Sequence, residues 1–436
     1  MASHDLPQVR EQYEAFPYPE RDPENERGRL VRTWLDDLPM VNHYGFAGRR
    51  SFGGDFRVLV AGGGTGDATI FLAEQLRDAK AEVVHLDFSQ TSTAIARRRA
   101  EVRGLANIRF VDASLLHLPT LGLGYFDYIN CAGVLHHLAD PDAGLRALLS
   151  VLAEDGVLGL MVYATYGRTG VYQMQALLRL IEGDEADARV RIEDAKQVLS
   201  AAPRSNWFKR GEDLHGDHRA NDAGLHDLLL HAQDRSYGVG ELYDWLGRGH
   251  RLHLAFTDVQ RGPSAYLPHL RMGTHPPRVL AKIRALPLER QQAIAELLCG
   301  DIKTHSFYAT KGSRVAPYGD ADYVPFLFHE PVTGTQLAEV FARAKGRPFA
   351  LDHAHSGLSV TVSPGRFGPA VLARIDGKRT FREIFDGVRA DPAFRAEAPG
   401  EATLFADFRE AYEVLSAIDR LLLRHAGAGV PPAVPG

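Results

Sequence analysis

Short apolar runs alternate with helical stretches between residues 56 and 163, and this alternation limits the possible folds more than any other feature. The first run, at 56–60, ends in a glycine-rich turn at 61–67, and apolar residues at helical spacing follow from 68 to 76. Further strands are predicted at 82–86, 108–111, 126–130 and 156–163, with helices at about 89–103 and 145–152. Strands joined by helices need right-handed crossovers, so the pattern predicts a parallel sheet.

The chain is longer than one hydrophobic core usually organises. Its 436 residues are 45% apolar and 24% charged, an ordinary globular composition for which two domains are expected. Strands predicted at 252–259 and 306–310 would complete a Rossmann-like, seven-stranded, mostly parallel sheet. The predicted organisation is a segment at 1–54, a domain at 55–313 with helical insertions at about 165–250 and 262–303, an accessory domain at 314–426 and a disordered tail at 427–436.

The accessory domain follows a proline-marked linker predicted at 317–325. A helix at 336–344, a strand at 359–362 and helices near 368–376, 380–389 and 403–425 are predicted beyond it. This order of elements indicates a small α+β or winged-helix-like module.

Charge and hydropathy restrict the classes of partner. The formal net charge is −5, which argues against a dominant surface for polyanions. Because binding a polyanion requires clustered Lys and Arg, nucleic acid is disfavoured as the main partner. No apolar stretch approaches the roughly 18 residues of a membrane span, and the N-terminus lacks the features of a signal peptide. We therefore expect a cytoplasmic protein with no membrane partner. The sequence leaves open whether it forms a homodimer.

The glycine turn and the ends of the next two strands form a candidate ligand site. Such a turn lets the backbone approach a ligand closely, and the helix after it offers unpaired N–H groups. Asp87 ends the second strand about twenty positions later, the spacing at which a carboxylate reaches ribose hydroxyls; capping the helix that starts near Ser89 is its alternative role. Asp112, at the end of the third strand, is expected with the Ala113 backbone to read an adenine ring, and a turn aspartate is the alternative.

Together these motifs resemble those of the class I S-adenosylmethionine-dependent methyltransferases. The resemblance is carried by the glycine turn, Asp87, Asp112 and the stretch 126–138, and it covers residues 56–163. It implies that S-adenosylmethionine is the cofactor and S-adenosylhomocysteine the product. The residues that it assigns to the cofactor are Gly62, Gly63, Gly64, Gly66, Asp87, Phe88, Asp112, Ala113 and Asn130.

The sequence departs from the family pattern at Val60. The family usually carries an acidic residue there, two positions before the first glycine of the motif. The amino group of the cofactor must then be held by backbone carbonyls or by another side chain.

The methyl acceptor is expected beyond the fourth and fifth strands. Alignment of the reactants can supply about 7–11 kcal/mol of barrier reduction, and an oxygen or nitrogen nucleophile must also lose a proton. His136 is the candidate base, with a structural role for the paired histidines as the alternative. The acceptor, a small molecule or a protein side chain, is expected to contact Tyr18, His137, Arg168, His226 and Tyr237. Arg168 would pair an anionic group on it, with an ordinary loop arginine as the alternative.

The N-terminal segment sets Tyr13, Phe16 and Tyr18 among closely spaced prolines, which preclude a long helix. It is similar to the aromatic lids that cross the cofactor cleft in relatives. Packing at the edge of the domain is the alternative.

The histidines at 215, 218, 226 and 231 lie among aspartates, and such residues are potential metal ligands. Their spacing matches no tight ligand pattern, so no metal is expected and a substrate-facing loop is favoured, with a solvated polar surface as the alternative.

Two other functions are open alternatives to a methyltransferase. Ala61, Gly63 and Gly66 loosely imitate the dinucleotide fingerprint of an NAD-dependent oxidoreductase, although no hydride-transfer pair is visible. The second is a non-catalytic scaffold that binds S-adenosylmethionine, which Val60 keeps open.

Overall fold

One large sheet organises the chain from residue 56 to residue 311. The computed structural model describes residues 7–183, 185, 187–272, 277–329, 332–353 and 358–430. The strands of this sheet are β1 (Phe56–Ala61), β2 (Ala81–Asp87), β3 (Ile108–Asp112), β4 (Phe126–Ala132), β5 (Leu152–Ala164), β6 (Ser236–Tyr237), β7 (Leu252–Thr257) and β8 (Thr304–Lys311). Their order is β3-β2-β1-β4-β5-β8-β7, with the short β6 beside β5. Strands β1 to β5 are parallel and β8 is antiparallel to both neighbours, which confirms the predicted Rossmann-like, mostly parallel fold.

Helices connect the strands and form the insertions. In the N-terminal half they are α1 (Pro7–Ala15), α2 (Leu38–Gly45), α3 (Asp67–Gln75), α4 (Gln90–Arg103), α5 (Pro141–Ser150), α6 (Thr169–Glu182), α7 (Ala188–Ala201), α8 (Trp207–Arg210), α9 (Asp217–Ala220) and α10 (Asp222–Leu229). The remainder are α11 (Val239–Leu242), α12 (Pro268–Arg271), α13 (Pro277–Arg284), α14 (Leu288–Cys299), α15 (Gly334–Arg343), α16 (Gly368–Leu372), α17 (Phe381–Ala390) and α18 (Glu401–Ala417). Helix α4 shows why these bounds follow from sequence, because Ser89 caps its first turn and the left-handed Gly104 ends it, the latter as predicted.

Two cores lie on opposite faces of the sheet because successive residues of a strand point to opposite faces. Leu59 and Ala61 of β1 pack on one side with Leu145 of α5. Val58 and Val60 pack on the other side with residues of α2 and α3. Helices therefore cover both faces of β1, and only the ends of the central strands are open to a ligand.

The helices α6 to α10 form a predicted insertion between β5 and β6. They have a small core of their own, in which Val171 and Met174 of α6 pack with Phe208, Leu225 and Leu228. This core fixes α10 beside the end of β5, where it forms one wall of the candidate site.

The C-terminal region is an α+β unit, as predicted, but two of its predicted elements are wrong in part. The linker predicted at 317–325 is shorter because β9 (Tyr323–Leu327) begins within it. The helix predicted at 403–425 ends at Ala417, and the final residues form β12 (Leu421–His425), which pairs antiparallel with β9. The apolar run at 421–423 is compatible with a helix or a strand. It forms a strand because it pairs with β9, which is distant in sequence. A second antiparallel pair joins β10 (Phe349–His353) and β11 (Leu358–Val362).

The C-terminal unit packs directly on the large domain. Leu422 of β12 belongs to the apolar core shared with α2 and β1, and the backbone N–H of Leu423 donates to Nδ1 of His43 over 3.0 Å. Asp419 accepts hydrogen bonds from Tyr44 and from Thr257 of β7.

No helix within the described ranges is both long enough and apolar enough to cross a membrane. In the predicted tail, Ala426–Ala428 form a short 3-10 turn, and residues 431–436 lie outside the described residues.

Candidate active site

A cavity of about 490 Å³ lies at the carboxyl ends of β1, β2, β4 and β5. In a sheet of this kind, ligands bind at that edge, near the point where the strand order reverses. Three parts of the chain line it: the strand ends (Val60, Gly62, Gly63, Gly64, Asp87, Phe88, Asn130, Gly133, Met161 and Tyr163), the N-terminal segment (Tyr13, Tyr18, Pro19, Trp34 and Asp36) and the helical insertion (Arg168, His215, Asp217, Asp227 and Leu228).

The glycine turn between β1 and α3 is closely packed against neighbouring side chains. Gly62 has a φ of 74°, and a Cβ there would lie 2.4 Å from Val134. A Cβ on Gly63 would lie 2.4 Å from the ring of His85. Side chains at these positions would displace the turn, so glycine keeps its backbone at the floor of the cavity.

Asp87 lies where the prediction of a ribose ligand requires it. Its carboxylate is buried, lines the cavity and accepts the N–H groups of Gly64 and Ser89, each over 2.8 Å. Burial raises the pKa of Asp87, and the backbone hydrogen bonds oppose that rise. The alternative role as a helix cap is wrong, because Ser89 itself caps α4.

Three residues that the resemblance assigned to the cofactor do not line the cavity: Gly66, Asp112 and Ala113. Asp112 is exposed and lies in register with Asp87 across β2 and β3, while the N–H of Ala113 donates to the Asp87 carbonyl. The adenine contact therefore stays a prediction for the outer rim. Gly66 is a packing position, since a Cβ there would lie 2.8 Å from that of Ala96.

Asp227 is the central polar group at the other end of the cavity. It is buried on α10, and it accepts hydrogen bonds from Tyr13 Oη to Oδ1 at 3.2 Å and from Tyr163 Oη to Oδ2 at 3.3 Å. Burial raises the pKa of Asp227 to about 6. Sequence reasoning chose its neighbour His226, and only knowledge of which face of α10 meets the sheet would have separated the two.

His137 faces the cavity and His136 does not. His137 Nδ1 lies 2.8 Å from the carbonyl of Gln233, so Nδ1 carries the hydrogen and Nε2 keeps its lone pair. Burial lowers the pKa of His137 to about 4, which leaves the ring neutral at pH 7. The predicted base, His136, is fully buried with both ring nitrogens unpartnered and lies against Tyr163, 3.9 Å between ring centroids.

Among the other predicted acceptor contacts, Tyr18 and Arg168 line the cavity. Arg168 is buried, its guanidinium lies 3.5 Å from the ring centroid of Tyr163, and its Nε and Nη2 have no hydrogen-bond partner. His226 stacks on Phe16 and Tyr237 stacks on Trp245, so the structure does not bring either ring to the cavity.

The N-terminal segment crosses the cavity, as the lid interpretation expects. Thr65 in the glycine turn donates to the carbonyl of Pro19 over 2.7 Å. Arg21 donates to both carboxylate oxygens of Asp67 over 2.8 and 2.6 Å. These bonds hold Tyr18 over the glycine turn and favour the lid over packing at the domain edge.

Asp36 is a cavity residue that sequence reasoning missed. It is 1% exposed, and its Oδ1 accepts hydrogen bonds from Asn130 Nδ2 at 2.8 Å and Tyr128 Oη at 3.1 Å. Burial raises its pKa to about 6. A lone aspartate in a short 3-10 helix, Trp34–Asp36, carries no motif that would have revealed it.

The four histidines weighed as metal ligands do not form a site. Within the described residues, the group with metal-ligand spacing is instead His137, Asp227 and His231, whose ligand atoms lie within 4.8 Å of one another. His231 Nδ1 accepts the N–H of Gln233, so Nε2 carries the hydrogen and faces Tyr13 Oη at 3.3 Å. Since neither nitrogen of His231 then has a free lone pair, this arrangement favours a hydrogen-bonded cluster over a metal site.

Comparison with known proteins agrees with this geometry. Residues 59–158 match the model of a protein family whose description is "Methyltransferase domain". An uncharacterised protein from Synechococcus sp., syc1184_c, is 32% identical over 324 residues, which are 73% of this chain and 75% of that protein. Demethylmenaquinone methyltransferase from Thermus thermophilus is 41% identical over 107 residues, 24% of this chain and 47% of that enzyme. The chain thus spans less than half of the Thermus enzyme.

The fold is similar to that of PKMT2 from Rickettsia typhi, solved also in complex with AdoHcy. The TM-score is 0.59 at 14% identity, with 89% of this chain and 75% of that chain covered.

The residues at the cavity fit the cofactor of that family. A buried carboxylate, Asp87, stands beside a turn that only glycine can form, and the cavity extends beyond them toward Asn130 and Gly133. Neither the oxidoreductase nor the scaffold is retained as an alternative. The protein is an enzyme that uses S-adenosylmethionine, and it belongs to the class I S-adenosylmethionine-dependent methyltransferases.

Proposed function

We propose that the enzyme methylates an oxygen or nitrogen nucleophile that enters the cavity beside Asp227, on a small molecule or a protein side chain. The observation that carries this proposal is the buried Asp227 carboxylate, which lines the same cavity as the glycine turn. A nucleophile that binds there meets both the methyl donor and a proton acceptor.

The first task of the chain is alignment. Bound S-adenosylmethionine supplies a methyl group that its sulfonium already activates. The glycine turn and Asp87 define one end of the cavity, and Tyr163, His137 and Asp227 define the other. Holding a nucleophile between these ends accounts for most of the rate enhancement that such a displacement needs.

The second task is to take the proton of the nucleophile. The hydroxyls of Tyr13 and Tyr163 both donate to Asp227, which fixes its orientation. With its pKa raised to about 6 by burial, the Asp227 carboxylate is ionised at neutral pH and basic enough to accept a proton. The lone pair on His137 Nε2 is a second acceptor at the same wall.

Arg168 favours an acceptor that carries an anionic group. Its buried Nε and Nη2 have no hydrogen-bond partner among the described residues, and the ion pair of Nη2 with Oδ2 of Asp234 is long, at 3.6 Å. A buried donor without a partner is costly, and a carboxylate or phosphate on the acceptor would satisfy both nitrogens. Lys303, which also lines the cavity, would add to this preference.

The test is transfer of a labelled methyl group from S-adenosylmethionine into a cell extract, followed by separation of macromolecules from small molecules. Label that protease releases identifies a protein acceptor, and label in the small-molecule fraction identifies the other class. Label that appears equally with Asp227→Asn, or that is found on carbon, would overturn the proposal.

A further inference from the structure

Position 60 at the end of β1, where related methyltransferases usually carry an acidic residue, is Val in this chain, but a carboxylate from another segment lies close to it. Val60 of β1 and Asn130 of β4 are register partners at the ends of the two central strands, and both line the cavity. Asp36 reaches this point from the N-terminal segment, and Asn130 Nδ2 donates to its Oδ1 over 2.8 Å. The acidic side chain missing at position 60 is thus replaced, in space, by one from another part of the chain.

We propose that Asp36 binds the α-amino group of S-adenosylmethionine. The hydrogen bonds from Asn130 and Tyr128 both end on Oδ1, and Oδ2 receives neither; the Thr33 hydroxyl, which also lines the cavity, acts with them to lower the pKa of Asp36 against the effect of burial. A primary ammonium brings three N–H donors and a positive charge, which suit an oxygen in this position.

Other carboxylates that line the cavity have different partners. Asp67 pairs with Arg21 and Arg99, and Asp87 accepts two backbone N–H groups. Asp227 is bound by two tyrosines at the opposite wall. Asp36 is the one that contacts Asn130, at the end of the central strands.

The electrostatics of Asp36 also favour a cationic ligand. The side chain is 1% exposed, and the ion pairs of the described chain include none to Asp36. An ionised carboxylate in such surroundings is costly unless a positive group compensates it. Burial accordingly raises its pKa to about 6, and an ammonium ligand would remove that cost.

The chain holds Asp36 in place before any ligand binds. Gln75 Nε2 donates to the Asp36 carbonyl over 2.8 Å, and Gln75 Oε1 accepts the N–H of Leu38 over 3.0 Å. Helix α3, which starts at the glycine turn, thereby fixes the position of the segment that carries Asp36. Asp36 is therefore preorganised, which reduces the entropic cost of binding.

The experiment compares two ligands on the full-length protein by calorimetry. S-adenosylhomocysteine carries the amino group, and 5′-methylthioadenosine has the same adenosine and sulfur without the amino acid. Asp36→Asn should weaken S-adenosylhomocysteine by roughly ten- to a hundredfold, as expected for one charge-assisted hydrogen bond, and leave 5′-methylthioadenosine unchanged. The matched control is Asp37→Asn, since Asp37 is also buried but pairs with Arg32 and does not line the cavity; it should leave both affinities unchanged.

An unchanged affinity of Asp36→Asn for S-adenosylhomocysteine would overturn the proposal, and so would an equal loss of both ligands in a folded variant. If Asp36→Asn unfolds, the affinities for the two ligands are compared in Asp36→Glu instead, because this substitution keeps the charge and moves it by one methylene. Selective weakening of S-adenosylhomocysteine in Asp36→Glu supports the proposal, and an unchanged or equal effect on the two ligands contradicts it.

Discussion

The hydroxyl of Tyr13 donates a hydrogen bond to Oδ1 of Asp227 over 3.2 Å, although 214 residues separate the two in sequence. Tyr13 belongs to the N-terminal segment and Asp227 to the helical insertion, and both line the cavity. The backbone carbonyl of Tyr13 also accepts a hydrogen bond from Ser89, which follows Asp87. The same lid residue therefore contacts both ends of the cavity.

Replacing Asp227 with Asn should remove the proton acceptor and leave cofactor binding intact. We expect methyl transfer to fall by roughly 10²- to 10⁴-fold, the usual contribution of a general base. Single-turnover transfer of labelled methyl groups measures the loss, and calorimetry with S-adenosylhomocysteine checks the cofactor site. Asp222→Asn is the matched control, because Asp222 begins the same helix but is exposed and pairs with Lys196. Equal rates for the two variants would contradict the assignment.

The rate should also depend on the protonation of Asp227. Burial raises the pKa of Asp227 to about 6, so the carboxyl is protonated, and inactive as a base, below that pH. The rate of the wild-type enzyme should therefore fall as the pH drops through about 6, tenfold per pH unit once it is well below. His137, whose pKa is lowered to about 4, stays neutral across this range and adds no step there. A pH profile of Asp227→Asn with the same step at pH 6 would assign that step to another group.

The strands of the large sheet could be predicted from sequence because each is a local pattern. The run 56–60 is apolar and is followed at once by glycine, and Asp87 and Asp112 mark strand ends by position alone. The parallel pairing of neighbouring strands then follows from the general rules for right-handed crossover connections.

The acceptor end of the cavity could not be predicted in the same way. Tyr13 and Asp227 meet only because the N-terminal segment and α10, 214 residues apart in sequence, both fold over the end of the sheet. Neighbouring residues on a helix or a 3-10 turn point in different directions, so the predicted acceptor contact His226 is replaced by Asp227, and the predicted base His136 lies behind His137, which was predicted only as an acceptor contact. Likewise, the apolar run at 421–423 becomes a strand because β9 is beside it.

Opening the lid should weaken cofactor binding. Arg21 donates to both oxygens of Asp67 at the start of α3, and this pair holds the segment that contains Tyr18 and Pro19. We expect Arg21→Ala to speed the dissociation of S-adenosylhomocysteine several-fold in stopped-flow measurements, since the lid closes less often. Arg27→Ala should have no such effect, because Arg27 is exposed and pairs with Glu24 within the same 3-10 turn. Identical dissociation rates in the two variants would show that the segment is not a lid.

A methyl group at Gly63 should destabilise the glycine turn. Its Cβ would lie 2.4 Å from the ring of His85, a buried side chain that cannot move to solvent. We expect Gly63→Ala to lower the free energy of unfolding by about 1–3 kcal/mol, the range for overpacked cores. Gly54→Ala serves as the control, since a Cβ at Gly54 meets no atom within 4 Å. Denaturant titration compares the two, and a stability of Gly63→Ala equal to that of the control would argue against the close packing.

Asp419 should make the junction between the two domains sensitive to pH. Tyr44 and Thr257 of the large domain donate to its carboxylate, and burial raises the pKa of Asp419 from 3.8 to about 6 in the folded protein. Between pH 4 and 6 the folded protein then binds more protons than the unfolded chain, so this group's contribution to stability declines as the pH rises through that window.

The full decline amounts to roughly 3 kcal/mol, and it is absent below the unfolded pKa and complete above the folded one. Asn does not titrate, so Asp419→Asn removes the pH dependence of this group, while the hydrogen bonds that it changes contribute an offset that does not vary with pH. We therefore expect the unfolding free energy of the wild type, minus that of Asp419→Asn, to decrease from pH 4 to pH 6 and to level off above it. Denaturant titrations of both proteins at each pH give the difference directly. A difference that stays flat or increases across the window would mean that Asp419 is already ionised in the folded junction at pH 4.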